Sequence, residues 1–127
     1  MERAAPYLIL IGRIILSIIF IQYGWGKIAS YAGTAEYMQA AGLPGALLPL
    51  VILTELGGGL CVLTGLFTRY AAIALAGFCV LAAYFFHYHP EDGMQMINFM
   101  KNITIAGGFL VLAGSSPGAL ALDNLRR

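Results

Sequence analysis

Two stretches of 21 residues, 70–90 and 102–122, carry no charged side chain, and shorter uncharged runs cover 14–26, 37–54 and 56–68. At 1.5 Å per residue, about 20 apolar residues cross the hydrocarbon layer of a bilayer. Seven basic and six acidic residues in 127, with 60% of the chain hydrophobic, leave too little polar material to coat a water-facing globule. Soluble domains carry roughly 25% charged residues. The chain therefore reads as an integral membrane protein of one domain. A disordered tail, a nucleic-acid binder and a large soluble enzyme are poor fits, and a net charge of +1 supplies no basic field for nucleic acid.

The sequence predicts an all-α protein, a four-helix membrane bundle with spans at about 6–26, 47–67, 69–88 and 95–114. The breaks have physical causes: Gly24 and Gly26, then Gly42-Leu43-Pro44-Gly45; Gly65 with Thr68-Arg69; His89-Pro90-Glu91-Asp92-Gly93; and Ser115-Ser116-Pro117-Gly118. Each joins a helix breaker to residues that tolerate turn geometry. Arg13 interrupts the first apolar stretch and no small-x-small cleavage pattern follows, so that stretch is expected to stay as a helix. The connection from Ala29 to Ala46 is too polar to span and is expected to form a short interfacial helix. With four crossings, both termini and the turn after span two share a side, which collects Arg3, Arg69, Arg126 and Arg127. Basic residues favour the cytoplasm, so both termini are expected there.

Charges inside the spans are the candidates for function, because an intramembrane ion costs about 2.5–3.5 kcal/mol or more unless paired or hydrated. On span one, Arg13, Ser17, Phe20, Gly24 and Lys27 form one helical stripe. On span two, Glu55 shares a face with Gly58, Gly59 and Val62, where a neighbouring helix can come close. On span four, Asn98, Lys101, Asn102, Ile105 and Gly108 form a similar stripe, and span three offers Gly77, Tyr84, His87 and Tyr88. Counting depth places Lys27, Gln22, Tyr84, His87, Asn98, Lys101 and Asn102 in the outer third. It lets Arg13 and Lys101 converge on Glu55 from below and above. The expectation is an outward-open polar pocket with an Arg13–Glu55–Lys101 core and a surplus of cations, suited to an anionic headgroup, a carboxylate or quinone oxygens. The same ions could instead serve only to fix helix register.

Other groups take simpler readings. Cys61 and Cys79 lack redox or metal spacing and read as small buried hydrophobes. His87 and His89 fall on different sides of a helix without a third ligand, so no metal or haem site is expected. Tyr7, Tyr23, Trp25, Tyr31, Tyr37 and Tyr88 suit an aromatic belt at headgroup level, and Met94, Met96 and Met100 suit flexible packing. No phosphate loop, dinucleotide motif or hydrolase serine motif occurs, and no catalytic residue is assigned.

In order and spacing the chain resembles the DoxX family of small four-helix bacterial membrane proteins. The resemblance is carried by Gly12-Arg13, Gly24-Trp25-Gly26-Lys27, Gly42-Leu43-Pro44, Glu55-Leu56-Gly57-Gly58-Gly59, Gly65-Leu66-Phe67-Thr68-Arg69-Tyr70-Ala71-Ala72, Lys101-Asn102, Ser116-Pro117-Gly118 and Leu122-Asp123. It implies a multi-pass inner-membrane protein, and some relatives are linked to quinone-dependent oxidation or to complexes with soluble redox enzymes. Arg13, Lys27, Glu55, Lys101 and Asn102 are the positions it selects as a polar core. Three functions stay open. One is an accessory or anchoring subunit of a redox system that binds a quinone or lipid-like molecule and docks redox partner proteins. The second is a small proton-coupled transporter or lipid-handling protein acting through Glu55. The third is a scaffold with no ligand. Membrane lipids are the expected surroundings, and a homodimer through the glycine-rich faces is one open assembly.

Overall fold

The computed structural model of the protein describes residues 3–125. Arg126 and Arg127, counted above among the basic residues on the side of the termini, lie outside them. Four helices are long and apolar enough to cross a membrane: span one Ala5–Ala29, span two Gly45–Thr64, span three Thr68–His87 and span four Gly93–Gly114. They fall on the four expected stretches. The expected short helix in the first connection is Tyr31–Ala40, and a single turn at Leu122–Leu125 follows span four. Among the described residues there is no strand.

Local chemistry sets the helix ends. Span two begins after Pro44 with a tight turn over Gly45–Leu47. It stops at Gly65, whose φ of +76° is a left-handed conformation that glycine adopts without strain. The amides of Gly65 and Leu66 both return to the carbonyl of Cys61, at 2.8 and 2.9 Å, which closes the helix end. Span four begins at Asp92, whose side chain accepts from the amides of Met94 at 3.0 Å and Gln95 at 3.4 Å.

Spans one and two approach closely because two glycines remove bulk. A Cβ on Gly24 would lie 2.8 Å from the backbone nitrogen of Leu56, and one on Gly59 would lie 2.9 Å from Ile21. Close backbone approach of this kind supplies dispersion contacts, the main source of helix association where lipid tails are as apolar as the side chains. The stripe expected on span one is the face that packs inward: Arg13, Ser17, Phe20 and Gly24 are its buried residues. The core joins Phe20, Val62, Leu75, Cys79 and Phe109, with Cys61 partly buried against it and both cysteines free. Phe20 meets Phe109 edge-on at 5.4 Å, and Leu16 sits over Gly108, so span four touches span one at these points while packing mainly on span three.

Span four is rotated from the expected stripe. Ala106, Phe109, Leu112 and Ala113 are its buried residues, Asn98, Asn102 and Ile105 are half-buried, and Lys101 is exposed. Packing of Phe109 against Phe20 sets this rotation, and a polar stripe seen in isolation does not reveal it. Outside the bundle, Ile15, Leu53 and Val111 are 68%, 68% and 72% exposed, a surface that suits hydrocarbon and not water.

Candidate functional site

The intramembrane charges separate into two groups at opposite ends of the bundle. Near the turn between spans one and two, Lys27 donates from Nζ to Oε1 of Glu55. The Glu55 side chain is 3% exposed and that of Lys27 is 26% exposed. Glu55 lies in the middle of a π-helical stretch, Leu53–Gly57, that interrupts span two. Span three carries a second such stretch at Ala83–His87. Short π segments are rare and concentrate at functional sites. Nothing in the composition of either stretch announces them.

At the other end lies Arg13, and the expected Arg13–Glu55–Lys101 core does not form. Arg13 is buried and donates to the carbonyls of Val62 at 3.1 Å, Leu63 at 3.2 Å and Leu120 at 2.5 Å. The first two are end carbonyls of span two that have no partner within their own helix. Gly24 sits at the level of Leu56 and Gly59 at that of Ile21. That register puts Glu55 opposite residue 25, about 18 Å along the axis from Arg13 at 1.5 Å per residue. Arg13 thus ties the end of span two to the segment after span four. The tail is fixed a second time by Asp123, whose carboxylate accepts from the amides of Phe67 at 2.7 Å and Thr68 at 2.9 Å. Arg69 does for span four what Arg13 does for span two, donating to the carbonyl of Ala113 at 3.0 Å.

Lys101 is also separate from Glu55. It lies on the outer face of span four beside a shallow groove with Met96, Ile97, Met100 and Thr104. No acid lies within ion-pair distance of it among the described residues.

Around the Lys27–Glu55 pair the bundle encloses a cavity of about 600 Å³. Its walls are Ile19, Phe20 and Tyr23 of span one, Leu50, Val51 and Thr54 of span two, and the flank of span three from Ile73 to Phe86. The helix Tyr31–Ala40 covers it with Thr34, Tyr37 and Met38, held down by a stack of Tyr37 on Phe86 with ring centres 5.1 Å apart. His87 and Asn102 reach the wall, and the Nδ1 atom of His87 is 2.7 Å from Oε1 of Gln95. Asn98 is half-buried and is not part of the wall.

Of the residues singled out from the sequence, the cavity brings together Lys27, Glu55, His87 and Asn102. It leaves Arg13, Lys101 and Asn98 elsewhere. Tyr37, Met38, Thr54 and Phe86 were missed as wall residues. Tyr37 had an ordinary explanation as a belt aromatic, and only its stack on Phe86 reveals the role. Chemically the site is an apolar chamber with one internally neutralised ion pair and a few uncharged donors and acceptors.

Comparison with known proteins agrees with this architecture. The chain is 53% identical over 125 residues to the inner membrane protein YqjF of Escherichia coli (strain K12), covering 98% of the chain and 96% of that protein. It is 37% identical over 127 residues to the inner membrane protein YphA of the same organism, covering 94% of the chain and 91% of that protein. No solved structure shows a significant match. The DoxX family profile matches residues 8–88, a stretch that holds Lys27, Glu55 and most of the cavity wall, and the chain belongs to the DoxX family.

Proposed function

We propose that the protein is an inner-membrane accessory subunit of a redox system whose cavity holds a lipophilic molecule with an uncharged polar head, a quinone being the best-suited class. The carrying observation is the wall itself: almost entirely apolar, with Lys27 and Glu55 cancelling one another. A volume of about 600 Å³ lies within the range of small-molecule sites, which are apolar with a few placed polar groups. An ammonium has three donors, and Glu55 takes one, so Lys27 can also donate to a carbonyl oxygen of the head. Asn102 and His87 offer further polar contacts. Arg13 is spent on backbone carbonyls and Lys101 faces outward, so the cation surplus that favoured an anionic ligand is gone.

In this reading both termini lie on the cytoplasmic side, a choice supported by basic residues such as Arg3 and Arg69 on that side. A redox partner would dock there or on the opposite face carrying the helix Tyr31–Ala40.

The test is chemical. The protein is extracted from its own membranes in native lipid discs, and the small molecules that remain with it are identified by mass spectrometry. A neutral quinone should accompany the unaltered chain, persist in Arg13→Lys, and be lost from the double variant Lys27→Met/Glu55→Leu. Retention of only anionic phospholipid would contradict the proposal. Retention of nothing, with variants that differ only in stability, would favour a scaffold.

A further inference from the structure

The cavity wall is thinnest on the side between spans two and three, where lining residues are themselves exposed. Span three packs against span two mainly from Leu53 onward, while its outer stretch Ala83–His87 packs against span four. Gly58 marks the close approach, with its Cβ position 3.2 Å from Leu75. Outward of it the two helices part, at the level where span three turns π-helical. Residues that line the cavity are also exposed here: Leu50 by 59% and Leu81 by 58% in the gap, and Ile73 by 51% just below it. Ala74 and Gly77 complete the edge of span three, both exposed, and a Cβ on Gly77 would meet nothing within 4 Å. The opposite wall, where Gly24 meets Leu56, is shut by backbone contact.

We infer that the cavity is loaded laterally from the bilayer through the gap between spans two and three, and that it takes a head group whose apolar tail stays in the gap between Leu50 and Gly77. This rests on the reading of the cavity as a site for a lipophilic neutral molecule and adds the route and the requirement for a tail. A water-borne ligand would need a polar mouth. The rim here is made of leucine, isoleucine, alanine and glycine, which an isoprenoid or alkyl chain wets and water does not. The missing side chain at Gly77 leaves the width of a chain. The cover helix Tyr31–Ala40, by contrast, is held over the cavity by the Tyr37–Phe86 stack.

Gly77→Phe fills the rim from a position with free space, so the helix is not forced apart. Gly107→Phe, at an exposed glycine of span four outside the cavity wall, is the control for a ring added on the membrane-facing surface. Binding is measured in lipid discs for two probes, decylubiquinone, which has a ten-carbon tail, and duroquinone, which has none, with empty discs subtracted. Gly77→Phe should weaken decylubiquinone at least tenfold while duroquinone stays within about twofold of the unaltered protein, and Gly107→Phe should bind both normally. Unchanged decylubiquinone binding to Gly77→Phe overturns the route, as does equal loss of both probes, which would place the new ring inside the cavity. If the unaltered protein binds neither probe, the quinone assignment fails, and the route falls with it. Binding of both probes that is abolished by Lys27→Met/Glu55→Leu but not by Gly77→Phe keeps the assignment and rejects the route alone.

Discussion

Lys27 on span one donates to Glu55 on span two one helical turn beyond the contact of Gly24 with Leu56, so the bundle's buried acid is neutralised by the helix that packs most tightly against it. Breaking a buried pair from one side leaves an uncompensated charge, whereas removing both partners does not. Glu55→Leu and Lys27→Met should each lower the unfolding temperature in detergent, by an amount corresponding to about 2–4 kcal/mol. Lys27→Met/Glu55→Leu should fall short of the sum and recover part of the loss. Additive losses across the cycle would mean that the two side chains do not act as a pair.

Arg13 is expected to control the tail and not the cavity. Its guanidinium joins carbonyls from two segments, Val62 and Leu63 on one side and Leu120 on the other. Arg13→Met leaves those carbonyls without a donor, at a cost of about 1–3 kcal/mol each if they stay dry. Hydrogen exchange should show the amide of Asp123, bonded to the carbonyl of Gly65 at 2.8 Å, losing protection. Arg13→Lys should restore part of it, since a single ammonium cannot span all three acceptors. Protection unchanged in Arg13→Met would show that the tail is held by other contacts.

The tail's second attachment has its own signature. Asp123 accepts from the amides of Phe67 and Thr68 at the start of span three, serving as a cap supplied by a distant segment. Asp123→Ala should cost about 1 kcal/mol and raise exchange at those two amides. Asp123→Asn, which keeps one acceptor oxygen, should have the smaller effect. Equal effects from both would assign the role to charge and not to hydrogen bonding.

Gly24 and Gly59 should differ in how they tolerate a methyl group. The nearest atoms to a Cβ at Gly24 belong to the backbone and Cβ of Leu56, which cannot yield without moving the helix. At Gly59 the nearest atom is a side-chain one, Ile21 Cγ1 at 2.9 Å, and the backbone of Ile21 and Ser17 stands off at 3.3 Å, against 2.8 Å for the backbone at Gly24. Gly24→Ala should therefore destabilise by about 1–3 kcal/mol and Gly59→Ala by less, while Gly107→Ala, in open space, should be neutral or better. A neutral Gly24→Ala would contradict the close packing of spans one and two.

The number and placement of the spans were legible because uncharged runs and glycine–proline clusters are properties of local sequence. So was the inward face of span one, where Arg13, Ser17, Phe20 and Gly24 repeat at helical spacing. The partner of Arg13 was not legible. Depth counted from span ends ignores register, and register is set by where Gly24 and Gly59 let the two helices touch. Lys101 was misplaced for a related reason, since the rotation of span four follows from Phe109 meeting Phe20. The π segments and the folded tail depend on long-range contacts, such as that of Arg13 with Leu120, which no local pattern contains.

The most direct measurement is photolabelling with an azido-substituted quinone in native lipid discs, followed by peptide mapping in the presence and absence of excess decylubiquinone. Label that decylubiquinone displaces should fall on residues 19–27, 50–55 and 73–86, the walls around Lys27 and Glu55. Displaceable label confined to the outer face of span four around Lys101, or label that competitor does not displace from any wall, would contradict a quinone site in the cavity.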